Sequence, residues 1–342
     1  MVVTYQADFF ADFFNNFLAR IATENGVIKY YSIGKWILKV TYCKKNYNYF
    51  GETIAHLEIN SSKEDFSISV ISQTDTEIVP PSAFWGEELI GTSGVFYSAD
   101  ERYVAHYNSI NNYFQIADNV NNTAIYWLQN EELIPDYERS FSFRWVLHHF
   151  TEKTDFCMLH AAGLGNTKGG FILPAKSGSG KSNTSLACIG SNIKYLGDDF
   201  ILVDSVNLIA YNLYNCAKIE PRRIKYFKKI ASILNDNLIK YNSEKAHIYL
   251  YPQFKSSLIN SFKIKAILIP QFTGNFTTVI RKASAADSLI AMAPTTIGVL
   301  KASKFSFQKM ARIAKNLPAF SIKTGSNLSE IPIKIDLLLN SI

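Results

Sequence analysis

The sequence predicts a mixed α/β protein with two domains, a β-rich one over residues 1–135 and an α/β one over residues 136–342. Between about residues 27 and 130, β-branched and aromatic runs are separated by Gly, Asn, Asp and Ser, which is typical of strands joined by turns. From about residue 156, short apolar runs alternate with segments of helical period, which is typical of an α/β domain. At 342 residues, the chain is long enough to build a core in each domain.

Composition and charge indicate which classes of binding partner are expected for this chain. Hydrophobic residues make up 47% of the chain and charged residues 19%, the balance of an ordinary globular protein. The net charge of +6 is spread along the chain without a block of five or more Lys or Arg, so we expect no nucleic-acid partner. The longest uncharged apolar stretch near the C-terminus, residues 288–300, is too short to cross a bilayer and contains Pro294. We therefore expect no membrane partner either.

The cysteines and the first residues indicate the compartment. The four cysteines are dispersed, without a C-x-x-C pair, so we expect neither a disulfide scaffold nor a zinc site. The first residues lack the basic segment and the cleavage site of a signal peptide. We expect a soluble cytoplasmic protein.

The elements of the N-terminal domain follow from residue period and turn residues. Residues 9–21 place phenylalanines at helical spacing, which predicts a helix that packs on the core; binding to a membrane surface or a partner is the alternative. Residues 136–155 have helical character and are expected to bridge the two domains. Strands are predicted over residues 27–43, 55–59, 66–72, 94–99, 103–108 and 124–129.

The elements of the C-terminal domain alternate between strand and helix. A strand over residues 169–175 leads through a glycine-rich loop into a helix over residues 182–189. Residues 194–204 predict a strand, an acidic turn and a second strand. The other predicted elements are strands over residues 156–164, 263–272 and 319–325 and helices over residues 283–293 and 305–317.

The glycine-rich loop has the pattern of a phosphate-binding loop. Residues 173–183 read LPAKSGSGKSN, with Ala175 in place of the first glycine of G-x-x-x-x-G-K-[S/T]. Glycines let consecutive backbone N–H groups face one anion, and the following helix adds its partial positive charge. We expect Lys181 to reach the outer phosphates and Ser182 to bind the magnesium of the nucleotide. The predicted nucleotide-binding residues are Ser177, Gly178, Ser179, Gly180, Lys181, Ser182 and Asn183.

Two adjacent acids follow the loop. Asp198 and Asp199 lie sixteen and seventeen residues beyond Ser182, between two apolar strands. Burying two carboxylates is costly unless a metal or a cation meets them. Near a nucleotide, one acid helps to hold magnesium while the other accepts a proton from an attacking hydroxyl. An exposed acidic turn is the alternative.

A histidine precedes the loop. His160 lies in the strand predicted over residues 156–164, about fifteen residues before the loop. It is either a core histidine with its hydrogen bonds satisfied or a group that lies across the sheet from the acids and tunes the basicity of one of them. The spacing leaves both readings open.

These motifs, in this order, resemble the catalytic core of the HPr serine kinase/phosphorylase family. The likeness is dense over residues 156–204 and covers roughly the C-terminal half. It implies an α/β (α+β mixed-sheet) P-loop kinase domain, similar to the nucleotide-binding part of phosphoenolpyruvate carboxykinases, preceded by the β-rich domain. The N-terminal half is closer to HPr-kinase-like proteins of peptide natural-product pathways, including lasso-peptide clusters, where such enzymes phosphorylate a serine of a precursor peptide.

The resemblance implies roles for single residues. Asp199 is the general base, with Asp198 beside it and His160 and Lys181 completing the catalytic set. Ser182, Asp198 and Glu220 are the metal ligands, and Arg222 or Arg223 meets phosphate or substrate. HPr kinases have a glycine-rich stretch after the glutamate, and this chain has none after Glu220. The difference bears on two properties of the family, HPr as the substrate and the phosphorolysis reaction.

The expected function is therefore an ATP- and Mg²⁺-dependent transfer of the γ-phosphate to a serine-type hydroxyl of a peptide or protein. ATP or another nucleoside triphosphate is the expected nucleotide, and a homo-oligomer is left open. Two alternatives remain: a nucleotide-binding regulatory or scaffold protein without phosphotransfer, which the loss of the first loop glycine favours, and a phosphorylase or phosphatase that works in the reverse direction.

Overall fold

The computed structural model describes residues 4–5, 11, 14–18, 26–43, 46–79, 94–98, 100–108, 110–176, 178–232, 239–241, 245–300 and 304–342. The chain divides into two compact units, Met1–Phe150 and Thr151–Ile342. This division falls fifteen residues after the predicted boundary between residues 135 and 136. Residues 136–150 pack on the N-terminal unit: the ring of Phe150 stacks on Phe66 with centroids 4.7 Å apart, and Trp145 stacks on His106.

The elements of the N-terminal unit are mostly short strands. The strands are β1 (Thr4–Tyr5), β2 (Val27–Ile33), β3 (Trp36–Tyr42), β4 (Glu58–Ile59), β5 (Phe66–Ser72), β6 (Gly94–Ser98), β7 (Tyr103–Asn108), β8 (Tyr113–Asp118) and β9 (Thr123–Leu128), and the helices are α1 (Asn46–Phe50), α2 (Gln73–Thr76), α3 (Asp136–Ser140) and α4 (Arg144–Glu152), with 3₁₀ segments at Glu52–Leu57 and Glu131–Leu133.

These strands form one sheet in the order β1-β6-β7-β8-β9-β5-β3-β2-β4. Strands β6 to β9 are an antiparallel meander, whereas β5 pairs parallel with both β3 and β9. Most of the helix predicted over residues 9–21 lies outside the described residues. Its described part, residues 14–18, is helical and buries Phe14 and Phe17, with the ring of Phe14 5.7 Å from that of Tyr103. This packing agrees with a core helix.

The helix predicted over residues 136–155 is interrupted. Helices α3 and α4 are separated by three residues, and Phe143 has a positive φ of 61°. A left-handed residue ends a helix, and a phenylalanine adopts this conformation only where its surroundings hold it. Phe143 is fully buried against Phe50 and Tyr126, so core packing overrides the helical period here.

The elements of the C-terminal unit mix strands and helices. The strands are β10 (Phe156–Leu159), β11 (Ala161–Asn166), β12 (Gly169–Pro174), β13 (Lys194–Gly197), β14 (Ile201–Asp204), β15 (Ile209–Tyr211), β16 (Cys216–Ile219), β17 (Ile239–Tyr241), β18 (Ala246–Tyr249), β19 (Ser261–Phe272), β20 (Val279–Ala283) and β21 (Ala319–Thr324), and the helices are α5 (Lys181–Ala187), α6 (Lys228–Ala231), α7 (Ala285–Leu300), α8 (Lys304–Asn316) and α9 (Glu330–Ser341), with 3₁₀ segments at Pro221–Tyr226 and Lys255–Ser257.

The main sheet of this unit is mixed and is covered on both faces. Its order is β10-β14-β15-β19-β12-β11-β13, with β21 also paired to β19 and β20 paired to β21. Side chains alternate across β12: Ile172 packs with Met292 and Met310 of α7 and α8, while Phe171 and Leu173 pack with α9 on the other face. A smaller sheet, β16-β18-β17, packs against α5. The C-terminal unit is therefore a mixed α/β structure, as predicted.

Two predicted elements of this unit have different bounds. The single strand expected over residues 156–164 is two strands, β10 and β11, with His160 between them. The helix expected to end at residue 293 continues as α7 to Leu300, past Pro294. Thr296 and Leu300, beyond the proline, are buried, and this packing holds the extra turns in place. Among the described residues, no helix is long and apolar enough to span a membrane.

Lys309 of α8 bonds to the first residues of the C-terminal unit, which begins at Thr151 and includes the last two residues of α4. Its Nζ donates to the carbonyl oxygens of Glu152 at 2.6 Å and Phe156 at 2.8 Å, and burial lowers its pKa. Replacing it by methionine leaves buried carbonyl oxygens without a donor. We expect Lys309→Met to lower the free energy of unfolding by about 2–3 kcal/mol in a denaturant titration. Lys315→Met, an exposed position on the same helix, is the control and should change it by less than about 0.5 kcal/mol.

Candidate functional site

The glycine-rich loop lies between β12 and α5 in the C-terminal unit. Gly178 and Gly180 have φ angles of 81° and 95°, in the left-handed region that favours glycine. Left-handed residues within a loop make a concavity of backbone N–H groups that suits an anion. A Cβ on Gly180 would lie 3.3 Å from Thr324 Oγ1 and 3.4 Å from Phe272 Cβ, so the position is also crowded. Ser177, the first predicted nucleotide-binding residue, lies outside the described residues.

Ala175 at the first position of the motif is compatible with this loop. Its backbone does not have a positive φ, so a glycine is not required for conformation. Its side chain is buried, at 3% exposure. A small apolar residue therefore fits where the usual pattern has glycine.

Lys181, the first residue of α5, reaches the two acids. Its Nζ lies 2.5 Å from Asp199 Oδ1 and 3.3 Å from Asp198 Oδ1, and the lysine is buried, with 6% exposure. Burial lowers the pKa of Lys181, but the two carboxylates outweigh that effect and raise it. Asp198 and Asp199 are in contact with a buried cation, so they do not form the exposed acidic turn that was the alternative.

Asp199 is the centre of this group. Burial raises the pKa of its carboxyl, but Lys181, a hydrogen bond from His160 and the charge of Lys218 together hold the pKa well below its usual range. The backbone of Asp199 has a positive φ of 68°, which is uncommon for residues other than glycine and tolerated best by Asn and Asp. Strained backbones of this kind cluster at functional sites.

His160 lies beside the acids, at the break between β10 and β11. Its Nε2 is 3.4 Å from Asp199 Oδ1, and its backbone N–H donates to Thr296 Oγ1 of α7. Burial and the charge of Lys181 lower the pKa of the imidazole, while Asp199 opposes this shift. The second of the two readings, a histidine in contact with one acid, is the one that the geometry matches.

Lys218 is a member of the group that the sequence did not reveal. It lies on β16, and its Nζ is 3.1 Å from Asp199 Oδ2. The one signal in the sequence is a lysine in the otherwise apolar strand Cys216–Ile219, two residues before Glu220. We call His160, Lys181, Asp198, Asp199 and Lys218 the charged cluster.

The predicted metal ligands Asp198 and Glu220 have different surroundings. Asp198 is 1% exposed, and its Oδ2 has no hydrogen-bond partner among the described residues, so a buried carboxylate oxygen is left to receive a ligand. Glu220 instead accepts a hydrogen bond from Arg222 Nε at 2.9 Å, and Arg223 lies 5.6 Å from the ring of Phe272. In the described part of the chain, no three or more His, Cys, Asp or Glu residues are grouped to hold a metal.

A cavity of about 980 Å³ adjoins the loop. Loop residues Ala175, Lys176, Gly178 and Ser179 line one side of it. The hydroxyl of Ser179 is buried and has no partner among the described residues. The other walls combine apolar side chains of β19 and α7 with one carboxylate, Asp287, and three basic side chains, Arg281, Lys282 and Lys323. With Lys176 of the loop, four basic residues face one acid, a lining that suits an anionic ligand with an apolar part.

Comparison with known proteins finds similarity among solved structures. No protein-family model matches this chain, and no curated protein matches it. Among solved structures, the chain is similar to the HPr(Ser) kinase/phosphatase from Coxiella burnetii, with 14% sequence identity and a TM-score of 0.28. That alignment covers 54% of this chain and 94% of the Coxiella chain. The function of this chain is therefore inferred from the residues of its loop and charged cluster.

Proposed function

We propose that this chain is an ATP- and magnesium-dependent kinase of the HPr-kinase-like type that transfers the γ-phosphate to a serine-type hydroxyl of a peptide or protein. The observation that carries the proposal is the contact between Lys181, the lysine of the glycine loop, and the adjacent acids Asp198 and Asp199. In this proposal Lys181 binds phosphate and the neighbouring Asp199 is the general base, the two groups that phosphoryl transfer to a hydroxyl needs. The order of histidine, loop and acids in the sequence supports the same class of reaction.

The loop and Lys181 bind the phosphates in this proposal. The Lys181 ammonium neutralises Asp199. A triphosphate on the loop offers Lys181 a second set of anionic oxygens, and the ammonium then divides its contacts between phosphate and carboxylate. Asp199 keeps Lys218 and His160 as partners, so its carboxylate stays ionised and in place.

Asp199 takes the proton in the transfer step. The hydroxyl oxygen of the acceptor forms a bond to the γ-phosphorus as the bond to the β–γ bridging oxygen breaks. The hydroxyl proton passes to Asp199, and ADP leaves with the electron pair of the broken bond. Positioning and neutralisation of the phosphate charge supply most of the acceleration in reactions of this type.

Asp198 and Ser182 are the residues that fit a magnesium ion. The unpartnered Oδ2 of Asp198 and the Ser182 hydroxyl beside Lys181 are oxygen ligands of the kind that Mg²⁺ takes from a protein when phosphates supply the rest. When bound, the ion neutralises phosphate charge. Glu220, the third ligand expected from the sequence, is paired with Arg222.

The test is direct detection of transfer. The purified chain is incubated with γ-labelled ATP and Mg²⁺ and with a panel of serine-containing peptides, free serine and HPr. We expect label on the serine of at least one peptide or protein, and the same label on no peptide in which alanine replaces the serine.

Two other outcomes would each replace the proposal. Tight binding of ATP in a calorimetric titration without any labelled acceptor would indicate a nucleotide-binding regulatory protein. Release of phosphate from phosphoserine acceptors, without the forward reaction, would indicate a phosphatase or phosphorylase that uses Asp199 to activate water or phosphate.

A further inference from the structure

A second cavity, of about 1130 Å³, lies in the C-terminal unit and has a strongly basic wall. The run from Arg222 to Lys229 supplies five basic side chains to this wall, and Glu220 is the one carboxylate among the described residues that line it. Arg222 pairs with Glu220, and Lys229 donates to the carbonyl oxygen of Gly190 at 2.5 Å. The other three, Arg223, Lys225 and Lys228, make no ion pair with a described residue. The cavity therefore holds an excess of positive charge that no part of the described chain neutralises.

The cavity also has aromatic walls that are open to solvent. Tyr226, Phe272 and Phe276 line it and are 60%, 46% and 68% exposed. Neighbouring aromatic rings with this exposure are typical of a surface that another molecule covers. Rings beside basic groups can hold apolar and acidic side chains of one extended segment together.

Two features connect this cavity to the charged cluster. Glu220 on its wall is two residues after Lys218, which contacts Asp199, and two residues of extended chain span about 7 Å. Phe272 lines this cavity and also the cavity beside the loop, and its Cβ lies against Gly180. A chain seated in the basic cavity is therefore near both the loop and the candidate base.

We propose that this cavity, which we call the basic cavity, binds an acidic segment of the peptide or protein whose hydroxyl is phosphorylated. The inference rests on the proposed function and specifies its substrate class: a chain with Asp or Glu residues close to the acceptor. The charge of the wall selects the acidic side chains, and the aromatic rings pack against their apolar neighbours. A peptide fits better than a nucleic acid because the basic groups of the wall lie within one short run, Arg222 to Lys229, whereas a nucleic-acid site follows a backbone along a surface.

Binding of a matched pair of probes tests the proposal. One probe is a fluorescein-labelled peptide with a single serine among alternating glutamate and leucine residues, and the other has glutamine in place of every glutamate. Fluorescence anisotropy with the full chain and a non-hydrolysable ATP analogue measures both affinities. We expect the acidic probe to bind at least about tenfold more tightly than the neutral one, with a difference that shrinks as salt is added.

Charge-reversal variants locate the binding. Lys225→Glu with Lys228→Glu changes two exposed residues of the basic cavity, and Lys255→Glu with Lys315→Glu changes two exposed lysines elsewhere in the same unit. We expect the first pair to weaken acidic-probe binding by about tenfold or more and the control pair by less than about threefold, since both alter the net charge equally. Affinity for the ATP analogue should stay within about twofold in both.

Three outcomes would overturn the inference. These are equal affinity for the two peptides, equal weakening by the two variant pairs, and tighter binding of an oligothymidylate than of the acidic peptide with the same dependence on Lys225 and Lys228. The binding result and the transfer result can be told apart. Binding of the acidic probe at the basic cavity without phosphorylation of any acceptor would refute the kinase proposal alone. Phosphorylation that depends neither on acidic residues in the acceptor nor on Lys225 and Lys228 would refute the docking site alone.

Discussion

Replacing Lys181 by alanine should lower ATP turnover by about 10³-fold, the loss seen when one group that neutralises developing charge is removed. The lysine is the loop residue placed to meet the outer phosphates, and no other side chain of the loop carries a cation beside the acids. Turnover with the best acceptor of the peptide panel and calorimetric titration of the ATP analogue measure the effect. Affinity for the analogue should fall together with turnover.

The change also removes a buried cation from between two carboxylates. Breaking a buried ion pair in this way commonly costs about 3–5 kcal/mol of stability, so unfolding must be separated from loss of binding. The double variant Lys181→Ala with Asp199→Asn removes one charge of each sign and should recover much of that stability without recovering nucleotide binding. Lys194→Ala, a half-buried lysine that donates to the Ser191 carbonyl, is the matched control and should keep affinity within about twofold. Normal ATP affinity in a folded Lys181→Ala chain would refute the phosphate role.

Asp199→Asn should reduce phosphotransfer by about 10²–10⁴-fold, the range that a general base contributes, while ATP binding is retained. Asparagine tolerates the left-handed backbone at this position, so the loop geometry is preserved. The amide cannot take up the hydroxyl proton. It also no longer competes with phosphate for the Lys181 ammonium, so affinity for the ATP analogue should stay equal or rise.

Asp204→Asn makes the same chemical change at a buried turn. Asp204 accepts hydrogen bonds from the backbone of Val206 and Asn207 and is outside the charged cluster. Asp204→Asn should lower the midpoint temperature of thermal unfolding and leave the rate of phosphotransfer per folded molecule unchanged. Near-full transfer by Asp199→Asn would show that another group takes the proton.

Much of the candidate site could be predicted from local sequence. The G-S-G-K-S stretch predicts a phosphate loop because left-handed positions need glycine, and the structure has positive φ angles at Gly178 and Gly180. The adjacent acids between apolar runs predict a buried pair in need of a cation, which Lys181 supplies. Strand and helix types in the C-terminal unit also follow from residue period, because each face of the sheet packs on its own helices.

The elements whose bounds were predicted wrongly depend on contacts between residues that are distant in the sequence. The helix over residues 136–155 is interrupted because Phe143 fills a gap beside Phe50 and Tyr126, residues that no local pattern connects to it. Helix α7 passes Pro294 because Thr296 and Leu300 are buried. In both places packing outweighs a local preference of a few kcal/mol at most.

Local sequence identifies the residues of the candidate site: a glycine loop with its lysine, two acids and a histidine, in an α/β half of the chain. The balance of their charges depends on the tertiary structure. Asp199 is held by Lys181 from α5, His160 from the β10–β11 break and Lys218 from a separate small sheet. The physical reason is that a buried charge is stabilised by whatever lies within a few ångströms, and sheet pairing brings together strands that are far apart in the chain.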